Sequence, residues 1–574
     1  MNAGSRARDR DADNAVLRTV FEAIRNNDHK KAGELAEAAL ADGLEHPLVL
    51  NVAALTLEQQ GRVIEAGQLL RRAVRIAPSD VGSRNALGLC LLRLEQPAEA
   101  LVHFETLIEL DPSLPFAHVS CGNALLALGR LTEAEAGFRR ALSLDAQHAV
   151  AQARLAHISV SRGAYPEARL LAEKSLASVP GYPDAVLSLA AAELGLRNRG
   201  RAETLIRALL ADSRLAPTER AHANGLLGDI LDAADRPVEA FAAYTACNQQ
   251  LRQIHAGRFA AGANVEANAG NSSAKPHAAS ANASANANVA NAYEYVRSMT
   301  RYFDTARADV WKSPALPVAD ASGSLGHVFV LGFPRSGTTL LEVILEGHPD
   351  VVSLEEKESL IDSVHEFMRR PEDLEGLARA PAAKLDALRR AYWERVAAYG
   401  IDVAGKVFVD KYPLNSLKLP LIARLFPGAK VLFACRDPRD IVLSCFRHRF
   451  LMSAPLYELL SIEGAARYYD AVMSLVVRLT GVLTLDVCLV RHEDLVTEFA
   501  REMKRICAFL NLEWAPAMGD FALRTQYRSV LTPSTAQLVR GLNTEGLGHW
   551  HRYRSQLAPV LPMLEPWVKR FLYA

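Results

Sequence analysis

The stretch Val328-Phe-Val-Leu-Gly-Phe-Pro-Arg-Ser-Gly-Thr-Thr-Leu-Leu-Glu-Val-Ile-Leu345 decides how the second half of this chain is read. Apolar residues run into a Gly-containing turn, and a helical pattern follows with Leu340, Leu341, Ile344 and Leu345 on one face. A strand, a loop and a helix in that order aim backbone N–H groups and a helix N-terminus at an anion. Gly332 and Gly337 have the spacing of a Walker A loop, and Thr339 stands where its Ser or Thr belongs. Thr338, however, occupies the place of the lysine, and Arg335 brings a positive charge into the middle of the loop. The loop reads as a phosphate cradle without the lysine of an ATP or GTP hydrolase.

Around it, short apolar runs alternate with helical patterns. Strands are expected at Val328–Gly332, Lys406–Asp410, Lys430–Cys435 and Asp486–Val490, and helices over 338–346, 382–399, 414–425, 438–449, 461–480 and 494–510. Such alternation implies a largely parallel sheet covered by helices. Ligands of such sheets sit at the carboxyl ends of the strands, where the Arg335 loop, Lys411 and Arg436 all fall by sequence order.

Pro334-Arg-Ser-Gly-Thr-Thr339 resembles the 5′-phosphosulfate loop of sulfotransferases, which use 3′-phosphoadenosine 5′-phosphosulfate as donor. Arg436-Asp-Pro-Arg-Asp-Ile-Val-Leu-Ser444 is similar to that superfamily's 3′-phosphate motif, an Arg and a Ser eight residues apart. The tyrosylprotein branch, and bacterial sulfotransferases fused to tetratricopeptide repeats, match best over about residues 295–574. The resemblance implies that Arg335, Ser336, Gly337, Thr338 and Thr339 bind the 5′-phosphosulfate, and Arg436 and Ser444 the 3′-phosphate. It implies Glu356, after His348-Pro-Asp-Val351, as general base, with Glu355 its neighbour. On spacing alone, both glutamates read as the acidic start of a helix over Glu355–Met368. Lys411 in Asp410-Lys-Tyr-Pro413 is implied at the bridging oxygen, and Ser534 in Thr532-Pro-Ser-Thr-Ala-Gln537 over the donor. Three histidines depart from the family pattern. His492 stands where a Tyr is common, His549 where a Lys or Arg precedes Trp550, and His448 at the second basic position of the 3′-phosphate motif. His492 and His549 are placed at the donor site. No metal is required.

Residues 15–255 repeat themselves. Pro78 and Pro112 are 34 apart, and Gly61, Gly129 and Gly163 keep that period, as do Glu65-Ala66, Glu99-Ala100, Glu133-Ala134 and Glu167-Ala168. A ~34-residue helix–turn–helix unit with small residues at the helix contact is a tetratricopeptide repeat, and stacked copies present a concave binding surface. Glu239-Ala240 lies four residues beyond the register, as an insertion around Ser213–Glu219 would produce. Residues 1–14 read as a polar tail. Residues 256–292, mostly Ala, Asn, Ser and Gly, read as a flexible linker before the catalytic domain, 293–574. The fold expected is an all-α repeat solenoid followed by an α/β P-loop-like domain with a parallel sheet.

Composition narrows the function. The 65 basic and 65 acidic residues leave no net charge to favour nucleic acid. Seven cysteines, without a Cys-x-x-Cys pair, argue for a reducing compartment and against a disulfide framework or structural zinc. No stretch reaches the ~18 apolar residues of a membrane span, and no secretory signal is visible in the polar N-terminal residues. The expectation is a cytoplasmic, bacterial enzyme that sulfates a hydroxyl on protein tyrosine or a saccharide, with the repeats recruiting the acceptor or a protein partner. The alternatives are a degenerate P-loop hydrolase or kinase, and a non-enzymatic repeat scaffold with a nucleotide-binding domain.

Overall fold

The computed structural model describes residues 10–259, 291–311, 323–522, 538 and 541–573. Up to Phe259 these residues are helical, in pairs running from Arg10–Arg25 to Pro237–Phe259. The periodic glycines have two separate uses. Gly61, Gly129 and Gly163 have φ between 74° and 79°, the left-handed backbone that reverses the chain after a first helix. Gly88 and Gly122 are needed for close approach, because a Cβ there would lie 2.4 Å and 2.6 Å from the rings of Phe104 and Phe138.

The break in register lies elsewhere than expected. The first helices of successive repeats begin at Pro47, Val81, Pro115, Ala149, Pro183 and Pro217, so Pro217 still keeps the period. The earlier five have 13 residues, but α1 (Pro217–Ala233) has 17. The insertion is one additional helical turn inside the helix, not a longer loop before it, because four residues close about one turn and preserve the buried face. Its partner α2 (Pro237–Phe259) is also long, at 23 residues. Residues 256–259, expected in the linker, therefore finish this helix. Asn291 caps the next one, α3 (Ala292–Thr305), by accepting from the Glu294 N–H. The linker between them, 260–290, lies outside the described residues.

The chain divides into two compact units. One holds the array up to Ile158 together with Lys174–Pro180. The other holds Ser159–Glu173, the array from Gly181 onward, and the whole α/β part. The boundary thus falls within the array. In the second unit a five-stranded parallel sheet has the order β2-β3-β1-β4-β5. These are β1 (Gly326–Gly332), β2 (Val351–Glu355), β3 (Val407–Lys411), β4 (Lys430–Cys435) and β5 (Asp486–Arg491). Four were expected. The fifth, β2, corrects the helix expected from Glu355, since Glu355 ends the strand and the next helix is Ile361–Phe367. With only five residues, β2 carries too little alternation to announce itself.

β1 is central because it is apolar on both faces; Phe329, Val330 and Leu331 have no exposed surface. It is followed by α4 (Thr338–Leu345), all eight of whose residues are buried. Leu341, Ile344 and Leu345 pack with Val330, Val409 and Leu432 of the sheet. After β4 in the chain come α5 (Pro438–Arg447) and, further on, α6 (Ile462–Val482). Tyr469 of α6 meets Phe333 edge-on, 5.0 Å between centroids, and so fixes the loop leaving β1.

Candidate functional site

The strand order reverses at β1, which pairs with β3 on one side and β4 on the other. Ligands of parallel sheets bind at the carboxyl ends beside such a point, and there every strand ends in or next to a candidate residue: the Arg335 loop, Glu355 and Glu356, Lys411, Arg436 and His492.

The loop is tightly specified. A Cβ on Gly332 would lie 2.4 Å from Ser336 Oγ and 2.6 Å from the Ala434 carbonyl, and one on Gly337 2.6 Å from His492 Nδ1. Gly337 has φ 101° and Arg335 φ 70°. A positive φ at an arginine is strained backbone, of the kind retained at functional sites. From this backbone Arg335 Nε donates to Ser444 Oγ at 3.1 Å. Two motifs 109 residues apart are thereby joined. Burial lowers the Arg335 guanidinium to about 10.

Around this contact several buried polar atoms have no hydrogen-bond partner among the described residues: Ser336 Oγ, Arg436 Nε, His448 Nε2 and His492 Nδ1. Burial, then Arg436 and Arg335, push His492 down to about 3, so its imidazole is neutral. His448 is likewise lowered, by burial and then Arg335. Buried donors left unsatisfied are costly, and grouped beside two guanidiniums and the α4 N-terminus they suit an anion. Arg436 is oriented by the Gly546 carbonyl, to which Nη2 donates.

On the other side of β1, Lys411 gathers carboxylates. Its ammonium lies 2.8 Å from Glu356, 3.1 Å from Glu355 and 3.3 Å from Glu342, with Thr339 Oγ1 at 3.5 Å. Successive strand residues normally point to opposite faces. Glu356 escapes that rule through φ 47°, while its N–H extends the ladder to the Lys411 carbonyl at 2.8 Å. Both glutamates therefore reach one ammonium. Burial works against the Lys411 charge, but Glu342, Glu356 and Glu355 outweigh it and raise its pKa. Only Glu356 is substantially open, at 44% side-chain exposure. The neighbouring Asp410 is pushed up to about 6 by burial, against hydrogen bonds from Ser359 and Tyr392.

Other expected residues stand apart. His549 is turned to the repeat array, Nε2 3.3 Å from Asp232. Arg447 and Arg449, flanking His448, are likewise engaged by Asp232 and Asp229 at 2.6 Å and 2.8 Å. Ser534 lies outside the described residues. Sequence reasoning missed Glu342, although a lone charge in the apolar run Leu340–Leu345 was a visible signal. It also missed Asp440, which accepts from the Gly548 and Trp550 N–H groups, both at 2.8 Å.

With this geometry in place, comparison with known proteins gives a consistent result. Residues 327–516 match the model of the sulfotransferase family, and 22–81 and 121–183 that of the tetratricopeptide repeat. The chain is 27% identical over 257 residues to an uncharacterized protein of Aquifex aeolicus, covering 42% of this chain and 33% of that one. It is 27% identical to protein-tyrosine sulfotransferase 1 of Danio rerio, covering 41% of this chain and 71% of the relative. To the protein-tyrosine sulfotransferase of Drosophila melanogaster it is 25% identical, covering 41% and 51%. The chain thus carries a sulfotransferase domain behind tetratricopeptide repeats. Among the described residues no helix is long and apolar enough to cross a membrane.

Proposed function

We propose that the α/β part transfers a sulfuryl group from 3′-phosphoadenosine 5′-phosphosulfate to an acceptor hydroxyl. The observation that carries this reading is the Arg335–Ser444 contact, which unites a loop lacking the Walker lysine with a second anion motif. Arg335, Ser336, Gly337, Thr338 and Thr339 hold the 5′-phosphosulfate. Arg436 and Ser444 hold the 3′-phosphate, to which a forked guanidinium is well matched. Ser336 Oγ, Arg436 Nε and His492 Nδ1, without a hydrogen-bond partner among the described residues, fit an anionic group of this kind. The resemblance also assigns Ser534, which lies outside the described residues, to the donor, and His549 supports the site from the side of Asp232.

The donor supplies the sulfuryl group. Glu356, the open carboxylate, takes the proton of the acceptor hydroxyl as the new S–O bond forms and the bond to the bridging oxygen breaks, leaving 3′,5′-ADP. Lys411 meets the charge that develops on that oxygen. The 2.8 Å pair couples the two events, because protonating Glu356 releases part of the Lys411 charge when the leaving oxygen needs it. Among acceptors, protein tyrosine is favoured over a saccharide alcohol, because a phenol of pKa ~10 is more readily deprotonated by a carboxylate. The similarity to protein-tyrosine sulfotransferases points the same way. The repeats recruit a polypeptide acceptor and raise its concentration near Glu356.

Calorimetry on the full chain tests the reading. 3′,5′-ADP is expected to bind without magnesium, and ATP weakly. Tight, magnesium-dependent ATP binding would replace this reading with that of a nucleotide hydrolase.

A further inference from the structure

The additional turn of α1 is where the array meets the α/β part, and its residue Asp232 is the centre of the contact. Asp232 is only 8% exposed. Oδ1 accepts from Tyr553 OH at 2.6 Å and lies 3.0 Å from Arg552 Nη1 and 3.3 Å from His549 Nε2. Oδ2 lies 2.6 Å from Arg447 Nη2, and the backbone carbonyl accepts from Arg552 Nη2 at 2.8 Å. Burial would raise this carboxyl, but His549, Arg447 and Tyr553 together hold it well below the ordinary range. The contact continues on either side. Asn248 of α2 donates to the Phe446 carbonyl at 2.7 Å, and Phe241 stacks on Phe446 at 4.9 Å.

Both elements gripped by Asp232 lead into the anion site. Arg447 ends α5, the helix that carries Ser444 one turn earlier and follows Arg436. The segment His549–Tyr553 follows Gly546 and Gly548, whose backbone groups bond Arg436 and Asp440. Resting on the donor-binding role given above to Arg436 and Ser444, we infer that Asp232 is a positioning residue of the donor site, supplied by the last repeat. The repeat array is then part of the machinery that binds the nucleotide, and not solely a tether for the acceptor.

The test compares the full chain with Asp232→Asn, which keeps the shape and removes the charge that holds four partners. Glu193→Gln serves as control, since Glu193 is a buried carboxylate of the same array paired with Arg169 and Arg201 at 2.9 Å and 2.7 Å. Asp232→Asn is expected to raise the Kd for 3′,5′-ADP and the KM for the donor about 10-fold, with kcat at saturating donor within about twofold. Glu193→Gln should lower thermal stability and leave Kd unchanged. Hydrogen exchange adds a readout that does not depend on the nucleotide: residues 546–553 and the end of α5 should lose protection in Asp232→Asn alone. Unchanged protection there, or equal Kd shifts in both variants, overturns the inference. If the wild-type chain fails to bind 3′,5′-ADP, the proposed function falls, and the exchange experiment still decides the positioning role. Should Asp232→Asn not fold, Arg552→Gln removes one partner only and must show the same pattern, reduced.

Discussion

Replacing Lys411 by Met removes the cation on which three carboxylates converge. The Lys411 and Glu342 side chains have no exposed surface and Glu355 has 7%, whereas Glu356 has 44%. Water screens Glu356, so its pairing adds little to stability. Glu342 and Glu355 would lose this buried cation, and breaking a buried pair costs about 3–5 kcal/mol. Urea unfolding followed by tryptophan fluorescence reads this directly, because all five tryptophans lie beyond residue 310 and report the α/β part. With a urea dependence of ~1–3 kcal/mol per M, the midpoint should fall by about 2 M. Adding Glu342→Gln to Lys411→Met should return part of that loss. An amide there carries no charge and can keep the 3.0 Å contact of Oε1 with Ser353 Oγ. A midpoint within about 0.3 M of wild type, or no recovery in the double variant, would refute the idea that the Lys411 ammonium stabilises this cluster.

Glu356→Gln should leave 3′,5′-ADP affinity nearly intact and cut turnover ~100- to 10,000-fold, the effect of losing a general base; near-normal turnover would move the role to Glu355. Arg436→Ala should weaken 3′,5′-ADP by about 1.5–3 kcal/mol, roughly 10- to 150-fold by calorimetry, since it removes a charged donor to the phosphate. His492 gives a pH test. Its folded-state pKa, about 3, lies below the ordinary 6.5, so acid protonates the unfolded chain first. Stability from this group is present above pH 6.5 and is lost as pH falls toward 3. Between those values wild type should lose stability faster than His492→Gln, by about 1 kcal/mol per pH unit, in urea titrations at several pH values.

What the sequence determined by itself was whatever repeats or alternates over a short span. The 34-residue register gave the helix pairs, and the glycines of that register have the backbone and packing reasons assigned to them. The apolar run before Gly332 marked the central strand and the loop, and four of the five strands were legible in the same way. Tertiary structure decided the partners of charged groups. Lys411 meets Glu342, Glu355 and Glu356 because β1, β2 and β3 lie side by side, and the left-handed backbone of Glu356 has no signature in composition. His549 was expected at the donor site, yet it faces Asp232, and Arg447 and Arg449, which flank His448, face Asp232 and Asp229, all more than 200 residues away in the chain. The four-residue break in the repeat was visible, but its meaning was not. A local pattern shows that a helix has gained a turn; only the folded chain shows which charges that turn must meet, because ion pairs are chosen by proximity in space rather than by spacing along the sequence.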